Sequence, residues 1–232
     1  MLTRAPGQRP ARLLVTGFGP FPGVRDNPTE RLIQRIRADP TRHRSSGFDM
    51  RTAVLPTEWS AVRARVPKLL ARHDPDVILH FGVHGRAGGF QLEQRACNHM
   101  GMLPDACGQR GNGSAIVTGA PRMLRSMGPS ERLVSHLRTA GLPAELSMDA
   151  GRYLCNMLLY LSLLHAHTAD RPRTVQFVHI PPVAMPGQTR SGGMMTSSEL
   201  DLGAAALIKA CAALRTPRRH GSGRHGIKFA AE

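Results

Sequence analysis

Residues 76–85 read DVILHFGVHG. Only His80 and Gly82 interrupt an apolar run that is too short for a buried helix. Such a run is a strand covered on both faces, which is the pattern of a parallel sheet with helices on either side. Upstream, TEWSAVRARVPKLLARH (57–73) has helical composition, with Pro67 expected to kink or break it. MRTAVL (50–55) and residues 12–17 read as two more strands. Between them PTERLIQRIRAD (28–39) reads as a helix, with Pro28 at a first helical position where its missing N–H costs nothing. Downstream, residues 89–128 are glycine-rich and read as irregular. Then GPSERLVSHLRTAG (128–141) predicts a helix, with Ser130 as N-cap and Gly141 as its stop. A short strand AELSM (144–148) and an apolar helix AGRYLCNMLLYLSLLHAH (150–167) follow. The strand TVQFVHIP (174–181) and the helix SSELDLGAAALIKACAALR (197–215) close the pattern. Strands alternating with helices predict an α/β fold: a three-layer α/β/α sandwich around a twisted, mostly parallel (mixed) sheet. In such sheets, sites collect beyond the carboxyl ends of the strands.

The 232 residues suffice for one sizeable core, taken here as 12–214. Residues 1–11 are expected to be a flexible N-terminus and 215–232 a basic, disordered tail. No apolar run is long enough to span a bilayer. The basic start MLTRAPGQRPAR is followed by an apolar segment broken at Gly17, Gly19 and Pro20, a poor signal peptide, so the expectation is a cytoplasmic protein. The net charge of +15 invites a nucleic-acid reading. Against it, the basic residues are 28 arginines and three lysines scattered along the chain, and aromatic residues make up only 4%. Stacking platforms interleaved with basic residues are missing, and only the tail RTPRRHGSGRHGIK is densely basic. The four cysteines form no CxxC pair, and Cys97, His99 and Cys107 fit no usual zinc spacing; neither a disulfide framework nor a metal is expected.

The stretch LLVTGFGPFPGVRDNP (13–28) tests a nucleotide site. Its glycines, Gly17, Gly19 and Gly23, are spaced G-x-G-x-x-x-G, Pro20 and Pro22 remove N–H groups a pyrophosphate would need, and no Walker lysine follows. The loop reads instead as a rigid turn presenting two exposed aromatic rings, Phe18 and Phe21, to a flat apolar ligand.

No G-x-S-x-G elbow occurs, so the nucleophile search passes to cysteine. Cys155 falls in the first turn of a helix that follows a strand and a glycine turn. Unsatisfied N–H groups and the positive end of the helix dipole favour thiolate there, although a buried core cysteine fits the same position. His179 ends a strand whose alternation puts Phe177 and His179 on one face, Gln176 and Val178 on the other. Glu93 follows the third strand in a glycine-rich setting. His80 and His84 are as eligible as His179 on chemistry alone. Spacing therefore points to a Cys–His hydrolase without choosing its members.

Four segments, in order, resemble the pyroglutamyl peptidase I family of cysteine peptidases over residues 12–214: VTGFGPFPGVRDNP, GFQLEQRACN, SMDAGRYLCN and FVHIP. The resemblance implies a triad of Cys155, His179 and Glu93. It also implies a pocket of Phe18, Phe21, Thr57, Leu103, Tyr153 and Leu154, peptides with N-terminal pyroglutamate as substrates, no cofactor, and a homo-oligomer (dimer or tetramer). Two departures stand out. Met102 occupies the place of the arginine the family usually has near the oxyanion, and Asp149 replaces the threonine of the Thr-Ala-Gly before the nucleophile. They leave open a chain of the same fold with weak or no peptidase activity, acting on another lactam or amide. Asp149 could disfavour the thiolate, or cap the helix and leave Cys155 alone.

Overall fold

The computed structural model describes residues 10–39, 47–169, 173–184 and 193–214. The expected flexible N-terminus (all but its last two residues) and the expected disordered tail lie outside the described residues. The strands are β1 (Ala11–Phe18), β2 (Phe48–Leu55), β3 (Val77–Val83), β4 (Phe90–Glu93), β5 (Arg95–Cys97), β6 (Met123–Arg125), β7 (Ala144–Ser147) and β8 (Thr174–Ile180). The helices are α1 (Pro28–Ala38), α2 (Trp59–His73), α3 (Ser130–Thr139), α4 (Leu154–His167) and α5 (Ser197–Ala213). Six strands form one sheet in the order β2-β1-β3-β8-β4-β7, and β5 and β6 form a separate pair. The neighbours β2, β1, β3 and β8 run parallel; β4 is antiparallel to β8 and parallel to β7. The sheet is mixed, as expected.

Side-chain alternation builds the three layers. Leu13 and Val15 of β1, Val77, Leu79 and Phe81 of β3, and Val178 and Ile180 of β8 face α1, α3 and α5. Leu14, Ile78, Val175 and Phe177 point the other way, onto Trp59, Val62, Val66 and Leu70 of α2 and the apolar faces of α4. Both faces of β3 are therefore buried, which is why its sequence alternates so little. His80 is the polar exception. Thr16 Oγ1 meets its Nδ1 at 2.7 Å and Ser162 Oγ its Nε2 at 2.8 Å. Burial pushes its pKa down to about 3, so this histidine is a neutral core residue with both nitrogens satisfied.

Three local expectations are corrected. Of the kink or break expected at Pro67, the break does not occur: helix α2 runs continuously through that residue. Both Pro67 and Arg63, whose carbonyl loses its N–H partner, are on the solvent side, where water can satisfy that oxygen. Ser130 is the first residue of α3 and not its cap; Pro129 holds the cap position, and the Ser130 hydroxyl donates to Gln176 Oε1 at 2.7 Å. Gly141 does end the helix: its φ is +77°, its N–H reaches Arg138 O, and the next N–H, Leu142, reaches Leu137 O, the paired bonds of a Schellman turn. Residues 89–128 hold three short strands, β4, β5 and β6. Each is only three or four residues long, too short to show a period.

Candidate active site

The opening loop is built from two close approaches. A Cβ on Gly17 would lie 2.6 Å from the carbonyl oxygen of Thr29, so only glycine lets β1 run this close to the start of α1. Asn27 then caps α1, accepting from the Thr29 N–H at 3.0 Å while its amide donates to Gly19 O at 2.8 Å. The Thr57 hydroxyl donates to the same Gly19 carbonyl at 2.9 Å. With its N-terminus capped from within, α1 offers no cradle for a phosphate. Phe18 is not exposed, as the sequence led one to expect, but 3% accessible in the α2/α4 core. It is the last residue of β1 and shares a face with Leu14. Phe21 is half-buried and held by paired backbone bonds with Val24.

Residues 103–110 pack beside this loop's support, the Ala106 N–H donating to Thr57 O at 2.8 Å. Asp105 is fully buried and organises them. One carboxylate oxygen accepts the Cys107 and Gln109 N–H groups, each at 2.9 Å, and the other accepts the Trp59 N–H at 3.0 Å. The Trp59 indole donates to Leu103 O at 3.2 Å, and the Tyr153 hydroxyl donates to Pro104 O at 3.0 Å. Trp59 and Tyr153 meet edge to face at 5.3 Å. This leaves Leu103 63% accessible, with Tyr153 half-buried beside it, whereas Leu154 is wholly in the core. Asp105 and Trp59 escaped the sequence reading. A lone Asp in a turn and a lone Trp on a helix carry no signal until the chain brings them together.

Cys155 is the second residue of α4, whose cap residue Tyr153 provides no side-chain bond to the helix N-terminus. The first N–H groups of a helix have no partner within it, so they remain available at the sulfur. Sγ lies only 3.1 Å from where a Cβ on Gly82 would be, and that Cβ would also meet the Phe177 ring at 2.7 Å. Gly82 is thus the gap in β3 that admits the nucleophile candidate to the sheet. Asn156 clamps the next segment, donating to the Cys97 and His99 carbonyls at 2.9 and 3.1 Å and accepting from the Cys97 N–H at 2.8 Å.

His179 and Glu93 come together because of strand register. Gln91 of β4 stands opposite His179 of β8, and Glu93 is two residues on, on the same face. Its carboxylate reaches diagonally to His179 Nδ1 at 2.7 Å. Both groups are buried, 1% and 4% accessible, and the Gln176 amide fixes the strand ends by donating to Glu93 O at 3.0 Å. Burial works against a charged His179 ring, but the neighbouring Cys155 side chain and then Glu93 outweigh this and raise its pKa to about 9. With Nδ1 on Glu93, it is Nε2 that faces the sulfur. The structure therefore brings the Cys155, His179 and Glu93 side chains together at one place and puts His80 in the core.

The two departures have plain surroundings. Met102 is exposed, and its carbonyl accepts from Arg110 at 3.3 Å. Asp149 does not cap α4: it accepts the Gly151 N–H at 3.1 Å and pairs with Arg152 at 2.7 Å on the surface. Among the described residues, no three His, Cys, Asp or Glu side chains gather as a metal would need. No described helix is long and apolar enough to cross a membrane.

Comparison with known proteins extends this picture over nearly the whole described chain. A family model described as pyroglutamyl peptidase matches residues 11–214. A pyrrolidone-carboxylate peptidase of Pyrococcus furiosus is 33% identical over 73% of this chain and 80% of its own. One from Clavibacter michiganensis is 32% identical over 91% and 97%, and the human pyroglutamyl-peptidase 1 is 29% identical over 75% and 80%. Among solved structures, a mutant pyrrolidone carboxyl peptidase of Pyrococcus furiosus superposes with a TM-score of 0.73 at 30% identity, covering 86% of this chain and 97% of the other. The pyroglutamyl peptidase I of Bacillus amyloliquefaciens superposes at 0.78 with 24% identity, over 88% and 97%, a likeness of fold.

Proposed function

Since the chain belongs to the pyroglutamyl peptidase family, a family of hydrolases, we propose that it is a cysteine exopeptidase that cleaves the amide bond after an N-terminal pyroglutamyl (5-oxoproline) residue. The observation that carries this reading is the buried Glu93–His179 pair at 2.7 Å, aimed at a half-exposed cysteine on a helix N-terminus.

In the proposed reaction the Cys155 thiolate attacks the pyroglutamyl carbonyl carbon, and the carbonyl π pair moves onto oxygen. The N–H groups at the start of α4 receive that oxyanion. The intermediate collapses, the C–N bond breaks, and the His179 imidazolium gives its Nε2 proton to the leaving amine. A thioester on Cys155 remains. His179, now neutral, takes a proton from water as the water attacks the thioester, releasing pyroglutamate and restoring the thiolate–imidazolium pair. Glu93 holds the ring by Nδ1 through both steps and stabilises its cation. The flat, uncharged lactam ring is expected between Phe21 on one side and Leu103 and Tyr153 on the other, with Phe18 and Leu154 as the buried backing of these walls. Thr57 fixes the loop between them through Gly19. No cofactor enters these steps, and cytoplasmic location and homo-oligomeric assembly belong to the same reading.

The reading is tested with a fluorogenic pyroglutamyl aryl amide, and its pH profile follows from His179. The folded pKa of about 9 lies above the ordinary 6.5, so the ring stays protonated through neutral pH and loses its proton as pH rises through 9. The same shift stabilises the fold fully below pH 6.5, and that contribution fades as pH climbs toward 9. Since the leaving amine needs that proton, kcat/KM is expected to fall on the alkaline side with a midpoint near 9. A rate still climbing well above that midpoint would count against His179 as the acid. Absence of any release from the aryl amide would count against the reaction.

A further inference from the structure

The short segment from Thr57 to Trp59 is bonded to both sides of the proposed lactam pocket. On one side the Thr57 hydroxyl donates to Gly19 O at 2.9 Å, at the base of the loop that carries Phe21. On the other, Trp59, the first residue of α2, holds the parts that carry Leu103 and Tyr153. Its indole N–H donates to Leu103 O at 3.2 Å, and its backbone N–H donates to the buried Asp105 carboxylate at 3.0 Å. Its ring meets that of Tyr153 edge to face at 5.3 Å. Two residues of chain span at most about 7 Å, so the anchors of the two sides cannot drift apart.

Leu103 and Tyr153 both depend on this support. Leu103 is 63% accessible, so few neighbours hold its side chain and its place is that of its backbone. Among the described residues, the other donor to its carbonyl is the Gly111 N–H, at a long 3.5 Å. Tyr153 is the cap residue of α4, two before Cys155, and its hydroxyl donates to Pro104 O at 3.0 Å. Burial first, and then the charges of Asp105 and Cys155, raise its pKa to about 12, so it stays a neutral donor through the working pH range. Trp59 itself is 5% accessible and acts on a ligand through these two neighbours. A buried indole N–H needs a partner, and here the partner is the backbone beneath Leu103.

We propose that Trp59 is a positioning residue that sets the width of the lactam pocket, and with it the selection of a five-membered over a six-membered lactam ring. The proposal rests on the pyroglutamyl peptidase reading. An apolar pocket rejects one extra methylene by about 10- to 200-fold, and only as far as its walls resist displacement. Here the resistance comes from the indole bond to Leu103 O and the ring contact with Tyr153.

The test compares a pyroglutamyl aryl amide with its homologue carrying a six-membered lactam ring. Wild type is expected to prefer the smaller ring by at least about tenfold in kcat/KM. Trp59→Phe keeps an aromatic ring beside Tyr153 and loses the donor to Leu103. It is expected to raise KM for the pyroglutamyl amide about five- to tenfold, the worth of one hydrogen bond, with kcat unchanged. The ring preference is expected to drop below about threefold. Phenylalanine also leaves a cavity, which lowers the thermal midpoint whatever the role of the residue. A second variant removes that ambiguity. Trp59 is the only tryptophan of the chain, so uniform replacement by the benzothiophene analogue of tryptophan keeps the bicyclic shape and deletes the N–H. It is expected to reproduce both the higher KM and the lost ring preference. An unchanged ring preference in the analogue protein, with or without a shift in thermal midpoint, makes Trp59 a core residue alone and overturns the proposal. Wild type that cleaves both rings equally also overturns it and leaves the peptidase reading standing, whereas wild type that cleaves neither overturns both.

Discussion

Replacing Cys155 by alanine is expected to lower kcat/KM on a pyroglutamyl aryl amide by more than about 10⁴-fold, the scale on which hydrolases lose activity with their nucleophile. The loss is chemical and not structural. The side chain is only half-buried, sits at the second position of α4, and contributes no hydrogen bond to the helix cap, so the thermal midpoint should move by no more than a few degrees. Cys155→Ser sharpens the point. Serine nearly keeps the size and offers a hydroxyl beside His179, but that hydroxyl is a far poorer nucleophile without an elbow and base tuned for it. Its activity is expected to stay below about 1% of wild type. Activity retained by the alanine variant would mean another residue attacks, and the other cysteines are poor substitutes. Glu58, hydrogen-bonded to the exposed Cys107 thiol, pushes its pKa up, and burial pushes that of Cys211 up to about 12. Both are held as thiols.

Glu93→Gln is the second large effect, expected to cost roughly 10³–10⁴-fold in kcat, as when a triad loses the carboxylate that holds its histidine. Glutamine is nearly isosteric and fits the same buried site. It removes the negative charge that helps hold His179 protonated, and its amide can turn a donor toward Nδ1, favouring the tautomer with the proton on the wrong nitrogen. Glu93 lies deep in the sheet and Gln176 holds its backbone, so the fold should persist. The alkaline limb of any residual activity should also move to lower pH, because one of the groups raising the His179 pKa is gone. Loss of rate without that movement would show that Glu93 shapes the site and not the proton on His179. Steady-state kinetics across pH, with circular dichroism to verify folding, decides between them.

The layers were legible because β3 is buried on both faces and the helices are long enough to show a period. Alternation also placed His179 and Phe177 together on the correct face. What stayed hidden in the sequence was whatever depends on contacts between distant segments. Glu93 is indistinguishable from a solvated carboxylate until β4 pairs antiparallel with β8 and brings it to the histidine. Phe18 was read as exposed because a glycine-proline loop begins after it, but register assigns it to the core. His80 and His84 look alike in sequence. The fold satisfies both nitrogens of the first and leaves one nitrogen of the second without a partner at the site. Asp149, read in sequence as a possible neighbour of the Cys155 thiol or a cap of its helix, is occupied instead by Gly151 and Arg152.

The most direct test of the central claim, that Cys155 attacks a pyroglutamyl carbonyl, is covalent labelling with pyroglutamyl chloromethyl ketone, read by intact mass and peptide mapping. The account predicts one adduct per chain, on Cys155, suppressed by an excess of a pyroglutamyl peptide and absent from Cys155→Ala. Labelling of Cys97 or Cys107 in its place, or no adduct while Cys155 remains open to a small alkylating agent, would contradict it.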